Sequence, residues 1–317
     1  MKPSRSVSRI AFLSTGDSSM QPTLFSPARN SAPRPLAVCL HTWSADLSQP
    51  FDEYMEQCEA LDWHFLFPAF RGPNWTPEAC GSPLVIADLE SAVKFVCDRY
   101  AVDTERIYLA GGSGGGHAAL LMAGTRPELF TAISAWCPIT DLAAWHDQSL
   151  TRRNEYAEHI RRACGGDPGC VRSAAQEAEK RSPLTYLGAA KNRVILDIAA
   201  GIHDGHTGSV PVSHSIDAFN LLAEEADRIS PADEQYIVEN ERVPESLAFS
   251  GADPAFDAGR RVLLRRISGK VRLTLFNSGH DMLHPAAFGF LAQQKRGMAP
   301  VWDSGTLTGH GTGALSR

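Results

Sequence analysis

The chain lacks several features that would associate it with a membrane or with nucleic acid. It contains no run of about 18 apolar residues, so no segment is predicted to span a bilayer. The formal net charge is -6 at pH 7, and lysine and arginine form no cluster of the kind that binds nucleic acid. The apolar stretch 10–13, near a basic N-terminus, is too short for a signal peptide. We therefore predict a cytoplasmic protein with neither nucleic-acid nor membrane partners.

Recognisable metal and redox motifs are also missing. The seven cysteines are scattered, and no Cys-x-x-Cys pair occurs. Cys164 and Cys170 flank a turn-rich loop and could form a disulfide in an oxidising compartment, although a cytosolic setting disfavours one. His203 and His206 have a spacing that could suggest a metal pair, but no third ligand is evident. The sequence therefore predicts neither a metal nor a cofactor.

What the 317 residues do contain is an alternation of strand and helix patterns. Eight apolar segments are predicted to be strands: 9–14, 20–25, 36–40, 63–67, 107–110, 130–136, 194–199 and 271–276. Amphipathic segments between them, such as 51–61 and 85–98, have helical spacing. This order is typical of an α/β fold with a mostly parallel, eight-stranded sheet and helices on both faces.

Three parts of the chain depart from that alternation. The polar, helical segment of about 141–192 follows the sixth predicted strand and is interpreted as an inserted cap. The domain, 1–296, is expected to end before the tail 297–317, which is rich in Gly, Thr and Ser and is predicted to be loose. No structure is assigned to 229–260.

The central motif is Gly111-x-Ser113-x-Gly115, which lies between the apolar strand 107–110 and the helical run 118–123. A serine on a glycine-flanked turn from strand to helix is typical of a nucleophile elbow, and the N–H of Gly114 is then placed to stabilise an oxyanion. Phosphate-binding alternatives fit poorly. A P-loop requires a lysine that is missing here, and the dinucleotide motif requires glycine where the chain has His117.

A serine hydroxyl needs a general base, and the base needs an orienting acid. In α/β-hydrolases the chain order is Ser, acid, His. His280 follows the last predicted strand and is the best base. Asp204 follows the strand before it and is the favoured acid, with Asp253 as the rival. Ligands of such sheets bind at the carboxyl ends of the strands, where Ser113 and these loops all lie.

Further candidates lie on the same predicted edge. Either Thr42 or Trp43, after the 36–40 strand, could supply the second oxyanion N–H, and Trp43 is our choice. Tryptophans near this edge suit either packing or flat substrate groups. Arg71 suits either an ion pair or a substrate carboxylate. Trp75, Trp136 and Arg71 are taken as candidate substrate-binding residues.

The elbow, the segment Gly205-x-x-Gly208-Ser209-Val210-Pro211-Val212 after Asp204, and Gly279-His280 resemble the catalytic domain of the prolyl oligopeptidase family, within the α/β-hydrolases. The resemblance covers roughly residues 9–290. It implies that Ser113 is the nucleophile, Asp204 the acid and His280 the base.

The same resemblance bears on the expected substrate. Peptidases of this family usually carry a large β-propeller, for which the chain has no room, and small propeller-free relatives are commonly esterases, including carbohydrate esterases. We therefore expect a serine carboxylesterase that cleaves a small-molecule ester, such as an acylated sugar or a small aromatic ester. The alternatives are a peptidase or aminopeptidase of the same fold, and a non-catalytic binding protein.

Overall fold

Nine strands form one mostly parallel sheet in the computed structural model, which describes residues 5–303. The strands are β1 Ser8–Leu13, β2 Met20–Ser26, β3 Arg34–Leu40, β4 His64–Pro68, β5 Val102–Gly112, β6 Ala132–Trp136, β7 Ile195–Gly201, β8 Val262–Ser268 and β9 Val271–Phe276. Their order across the sheet is β1-β2-β4-β3-β5-β6-β7-β9-β8. The six central strands, β4, β3, β5, β6, β7 and β9, pair in parallel. Strands β1, β2 and β8 pair antiparallel with their neighbours. The α/β-hydrolase fold expected from the sequence is confirmed.

The number of strands is a correction, because the sequence predicted eight. The missed strand is β8, which pairs antiparallel with β9 at the edge of the sheet. Arg265 and Arg266 lie in its centre and interrupt the apolar pattern that revealed the other strands. An edge strand can carry such residues because only part of its surface is buried.

Ten α-helices connect and cover these strands in the described part of the chain. They are α1 Asp52–Leu61, α2 Pro83–Cys97, α3 Gly114–Thr125, α4 Leu142–Arg152, α5 Tyr156–Cys164, α6 Arg172–Arg181, α7 Leu184–Leu187, α8 Ser213–Leu222, α9 Pro231–Asn240 and α10 His284–Ala292. The local sequence explains why two of these helices start where they do. The Ser82 side chain accepts from Val85 N–H at the start of α2, and Asp141 accepts from Ala144 N–H at the start of α4.

The four helices α4 to α7 form the insertion between β6 and β7. Two large apolar clusters cover the two faces of the sheet. A third, smaller cluster joins the insertion to the loops at the carboxyl ends of the strands, and includes Trp43, Leu142, Trp145, Ile160 and Val210. The insertion is therefore packed directly on the edge where the sequence places the site.

Segments left without a firm sequence assignment also have defined contacts. Within 229–260, helix α9 starts at a Ser230 cap. At the start of the tail predicted to be loose, Trp302 stacks on Phe290 with ring centroids 5.9 Å apart. The rest of that predicted tail, 304–317, lies outside the described residues.

All seven cysteines lie within the described range and are free thiols. Cys164 is buried and Cys170 is exposed, so the disulfide considered between them is not formed. Between residues 5 and 303, no helix has the length and apolar character needed to cross a bilayer.

Candidate active site

Ser113 occupies a strained turn between β5 and α3. Its backbone has φ 57° and ψ -120°, a positive φ that non-glycine residues seldom adopt. The turn is fixed on both sides, because Ser113 N–H donates to Trp136 O at 2.8 Å and His117 N–H donates to Ser113 O at 2.9 Å. The serine therefore sits at the N-terminus of α3, where the helix dipole favours negative charge.

The glycines around Ser113 allow backbone segments to approach closely. A Cβ on Gly114 would lie 2.5 Å from Trp43 N, and one on Gly115 would lie 2.8 Å from Leu40 O. Contacts this short are not seen for real side chains. The glycine pattern therefore reflects the packing of the elbow against the end of β3.

The predicted acid and base form a hydrogen-bonded pair. Asp204 lies in the turn after β7, and His280 in the turn after β9. His280 Nδ1 and Asp204 Oδ2 are 2.7 Å apart, and Val210 N–H donates to Asp204 Oδ1 at 3.1 Å. Asp204 is 1% exposed, whereas the His280 side chain is 25% exposed. A proton held on Nδ1 by the carboxylate leaves Nε2 as the acceptor, the tautomer that a general base requires.

The rival acid, Asp253, lies in a different environment. Its carboxylate forms an ion pair with Arg265 at 2.8 Å, on the edge strand β8. Because Asp204 is the residue bonded to His280, the geometry favours Asp204 over Asp253.

Two sets of contacts bring the elbow and the acid–base pair to one place. The Sδ atom of Met282, two residues after His280, lies 3.4 Å from the point that a Cβ on Gly112 would occupy. Cys137, next to the Trp136 carbonyl that binds Ser113, has its Sγ within 4.8 Å of ligand atoms of Asp204 and His280. The nucleophile, acid and base of the sequence prediction thus share one edge of the sheet.

Two backbone N–H groups are available to an oxyanion near Ser113. Thr42 N–H already donates to Gln49 Oε1 at 2.8 Å. Neither Trp43 N–H nor Gly114 N–H has an acceptor within residues 5–303. The close approach of Gly114 to Trp43 places these two groups side by side, so the geometry favours Trp43 over Thr42 as the second donor.

Two of the candidate substrate-binding residues are corrected by the structure. Trp136 is 1% exposed, donates from Nε1 to Ser134 Oγ at 2.8 Å and packs against Phe276, so its ring belongs to the core. The Arg71 guanidinium binds Asp88 at 2.6 Å and Asp17 at 2.8 Å. Its donors are taken by these carboxylates, so its role is a structural ion pair.

Trp75 differs from these two because its ring is partly exposed. It lies 4.9 Å from the ring of His159 on α5, between the loop after β4 and the insertion. Its proposed contact with substrate stays a prediction.

One residue of the insertion, Trp145, contacts both the loop that carries Trp43 and the loop that follows Asp204. Trp145 of α4 packs edge-on against Trp43, with ring centroids 4.7 Å apart, and its Nε1–H donates to Ser209 O at 2.9 Å. Tyr156 of α5 stacks on the other side of Trp145 at 4.8 Å. An aromatic stack thus connects the oxyanion loop, the Asp204 loop and the insertion.

Sequence reasoning missed two groups beside the site. Cys137 has a positive φ of 45° and donates from Sγ to Asp281 O at 3.4 Å. Burial and the nearby Asp204 carboxylate raise the pKa of the Cys137 thiol well above its ordinary value, so the thiol is neutral. The only feature of the sequence that could have indicated a place for Cys137 beside the site is its position directly after β6.

The second missed group is Glu241, which follows α9 in the segment without a sequence assignment. Its carboxylate accepts from His203 Nδ1 at 2.7 Å and lies 3.7 Å from His206 Nδ1. His206 Nε2 in turn binds Val238 O at 2.7 Å. Both histidines therefore hold the Asp204 loop against the end of α9.

One group of residues could in principle hold a metal in the described part of the chain. Cys137, Asp204 and His280 each offer a ligand atom, and these atoms lie within 4.8 Å of one another. Two of the three are already joined by the Asp204–His280 hydrogen bond. The arrangement is explained by acid–base chemistry, and the absence of a metal stays a prediction.

Comparisons with known proteins bear on the fold and on the middle of the chain. Residues 84–231 match the model of the prolyl oligopeptidase family. This range contains Ser113 and Asp204, while His280 lies beyond it. A search of curated protein sequences found no match.

Similar solved structures include an acylaminoacyl peptidase from Pyrococcus horikoshii, with a TM-score of 0.57, 15% identity and 69% of this chain covered. Oligopeptidase B from Leishmania major gives a TM-score of 0.54 at 16% identity over 71% of the chain. A structure from a study of two prolyl endopeptidases gives 0.55 at 15% identity over 75%. The matches cover 35%, 32% and 35% of those chains, so this chain spans about a third of their length. The fold of this chain is the α/β-hydrolase fold, and its residues 84–231 are similar to the prolyl oligopeptidase family model.

Proposed function

We propose that this chain is a serine hydrolase that cleaves carboxylic esters of small molecules through an acyl-enzyme. The observation that carries the proposal is the 2.7 Å bond from His280 to buried Asp204, on the same edge as the strained Ser113. A base oriented by an acid, close to a serine nucleophile, is the arrangement that acyl transfer requires.

The geometry gives each group a role in the reaction. Ser113 Oγ attacks the ester carbonyl carbon while its proton passes to His280 Nε2. The carbonyl oxygen becomes an oxyanion that accepts hydrogen bonds from the N–H groups of Trp43 and Gly114. His280 then donates the proton to the leaving alkoxide, and the C–O bond breaks. Water, deprotonated by His280, then attacks the acyl carbon. The bond between that carbon and Ser113 Oγ breaks, His280 returns the proton to Oγ, and the carboxylic acid is released.

Asp204 supports this cycle without changing its own protonation state. The residue is 1% exposed and accepts bonds from both His280 and Val210 N–H. Its negative charge therefore stabilises the imidazolium that forms when Ser113 loses its proton.

The proposed substrate class is based on the aromatic side chain that is partly exposed near the site. Trp75 is the partly exposed tryptophan of the candidate substrate-binding residues, and a flat ring suits the face of a sugar or an aromatic acyl group. Acylated sugars and small aromatic esters are therefore the substrates that we would test first.

A peptidase is the second candidate, and the comparisons support it at least as well as the esterase. The matching family model is that of the prolyl oligopeptidases, and the similar structures include an acylaminoacyl peptidase and oligopeptidase B. The same triad would attack an amide, with His280 protonating the leaving amine. An aminopeptidase would also need an acid to anchor the free amine, for which the insertion offers the exposed Glu155 and Glu158.

One experiment separates these functions. The kcat/KM of the purified chain is measured on p-nitrophenyl acetate, on aminoacyl p-nitroanilides and on N-acylated aminoacyl p-nitroanilides, with a Ser113→Ala variant as the blank. Faster turnover of the ester supports the esterase, and faster turnover of either anilide supports the peptidase. A wild-type protein that neither turns over these substrates nor reacts with a fluorophosphonate probe is a non-catalytic binding protein, and the proposal is then wrong.

A further inference from the structure

A large cleft lies beside the loops that carry the acid and the base. It has a volume of about 820 Å³, within the range typical of small-molecule sites. Its walls are the segment after α9, the loop of about 248–258, the start of β8 and Asn277 at the end of β9. Ser113 and His280 do not line it, so it is separate from the proposed site of acyl transfer.

Every carboxylate in the wall of this cleft already has a positively charged or proton-donating partner. Asp253 is paired with Arg265 at 2.8 Å, and Asp257 with Arg260 at 2.6 Å. The third acid, Glu241, is the acceptor for His203. Two of the three negative charges of the wall, those of Asp253 and Asp257, are therefore compensated by arginines of the protein.

The arginines of the wall are in the opposite situation. Arg242 and Arg261 line the cleft and are exposed, and within residues 5–303 neither guanidinium has an ion-pair or hydrogen-bond partner. The two unpaired guanidiniums outnumber Glu241, the one acid of the wall without an arginine partner in the described residues, so the cleft has a local positive charge. A planar guanidinium favours carboxylate, sulfonate or phosphate groups.

The remaining wall is apolar and aromatic. Phe256 is 8% exposed and is held by Trp136 and Phe276, while Phe249 is partly exposed across the loop. The Arg265 guanidinium lies 5.2 Å and 5.7 Å from the centres of the Phe249 and Phe256 rings. These rings form a firm surface against which a flat apolar group can pack.

We propose that this cleft binds a small organic anion with a flat apolar body, of the aromatic carboxylate class. Arg242 and Arg261 hold the anionic group, and Phe249 and Phe256 pack against the body. The ligand lies against Glu241 and Asn277, which adjoin the Asp204 and His280 loops, so it occupies a second site next to the catalytic one. The inference does not depend on the proposed function, since binding alone is predicted.

The test uses two probes of the same shape and different charge. Binding of 2-naphthoate and of neutral 2-naphthamide to the full chain is measured by isothermal titration calorimetry at low salt. We expect naphthoate to bind at least tenfold more tightly than the amide, and its affinity to fall as salt is added. Equal affinities for the two probes, or no detectable binding of naphthoate, would overturn the proposal.

Variants locate the site. Arg242→Gln with Arg261→Gln should weaken naphthoate at least tenfold and abolish the preference over the amide. The matched control is Arg153→Gln with Arg172→Gln, at two exposed arginines of the insertion that also lack ion pairs within the described residues. Phe249→Ala should weaken both probes by a similar factor. If the control lowers naphthoate affinity as much as the cleft variant does, the anion binds elsewhere and the assignment is wrong.

Discussion

The two halves of the candidate site are held by different kinds of contact. The elbow around Ser113 is fixed by backbone against backbone, with Gly114 and Gly115 pressed on the end of β3. The Asp204 loop is also held by backbone, since His203 N–H donates to Ser278 O at 3.0 Å, but it depends in addition on side chains from other elements, through Glu241 after α9 and Trp145 of the insertion. The first half depends on a local sequence pattern, and the second depends on partners far away in the chain.

This difference bears on how each half responds to change. A Cβ on Gly114 or Gly115 would lie 2.5 to 2.8 Å from backbone atoms of Trp43 or Leu40, so the elbow has no room for a methyl group and should tolerate almost no substitution. The Glu241 and His203 side chains are about one third exposed, and exposed ion pairs contribute little, so the loss of that contact should have a small effect. Four predictions test this contrast, in order of expected effect.

Removal of the nucleophile should have the largest effect. Ser113→Ala is expected to lower kcat on p-nitrophenyl acetate by about 10⁴- to 10⁶-fold, because the covalent route is lost. Labelling by a fluorophosphonate should disappear at the same time. Ser173→Ala, at an exposed serine of α6, is the control. Substantial activity in the Ser113 variant would contradict both the triad and the elbow.

Gly114→Ala tests the backbone contact directly. The added Cβ would displace Trp43, and the two oxyanion donors would separate. We expect kcat to fall by about 10²- to 10³-fold, the effect of losing one such donor, together with a lower Tm. The control is Gly188→Ala, where a Cβ would have no atom within 4 Å. An unchanged kcat in the Gly114 variant would show that the elbow is more pliable than its packing implies.

One buried histidine lies close to each half of the candidate site, and acid should destabilise the folded chain through both histidines. Burial lowers the pKa of His117, on the elbow helix, and of His214, after the Asp204 loop, to about 4. Below pH 6.5 the unfolded chain binds protons that the folded chain does not, so the free energy of unfolding falls as pH falls from about 6.5 to 4. Each histidine should contribute up to about 3 kcal/mol to this loss.

Urea unfolding at several pH values measures the effect. His117→Gln and His214→Gln should each flatten the dependence on pH. If the wild-type stability is the same at pH 6.5 and pH 4.5, the two histidines are not held neutral by the fold.

The weakest effect is expected from the contact between Glu241 and His203. Glu241→Gln removes the charge that holds His203, one residue before Asp204, and should lower kcat/KM by about two- to fivefold, corresponding to less than about 1 kcal/mol. Glu239→Gln, on an exposed face of α9, provides the comparison. Equal rates in the two variants would mean that the Asp204 loop does not need this contact.

The same contrast explains what could be predicted from the sequence. Ser113 and the glycines beside it were evident because strand, turn and helix are consecutive in the chain. Asp204 and His280 could be chosen because each follows an apolar strand of a parallel sheet. The role of Glu241 could not be predicted, because nothing near residue 241 shows that α9 returns to the Asp204 loop.

The two corrected substrate residues have a related cause. Position in a loop gives the end of the sheet on which a residue lies, but not the direction of its side chain. Trp136 and Arg71 both lie at the expected edge, yet one ring turns into the core and the other side chain turns towards Asp17 and Asp88. The strand β8 was missed because an edge strand need not be apolar throughout.

Trp145 connects the insertion to both halves of the candidate site. Its ring supports Trp43, and its indole nitrogen is bonded to the loop that follows Asp204. Under the proposed function, an insertion without a tryptophan at this position would lose both contacts, and we expect kcat to fall as a result.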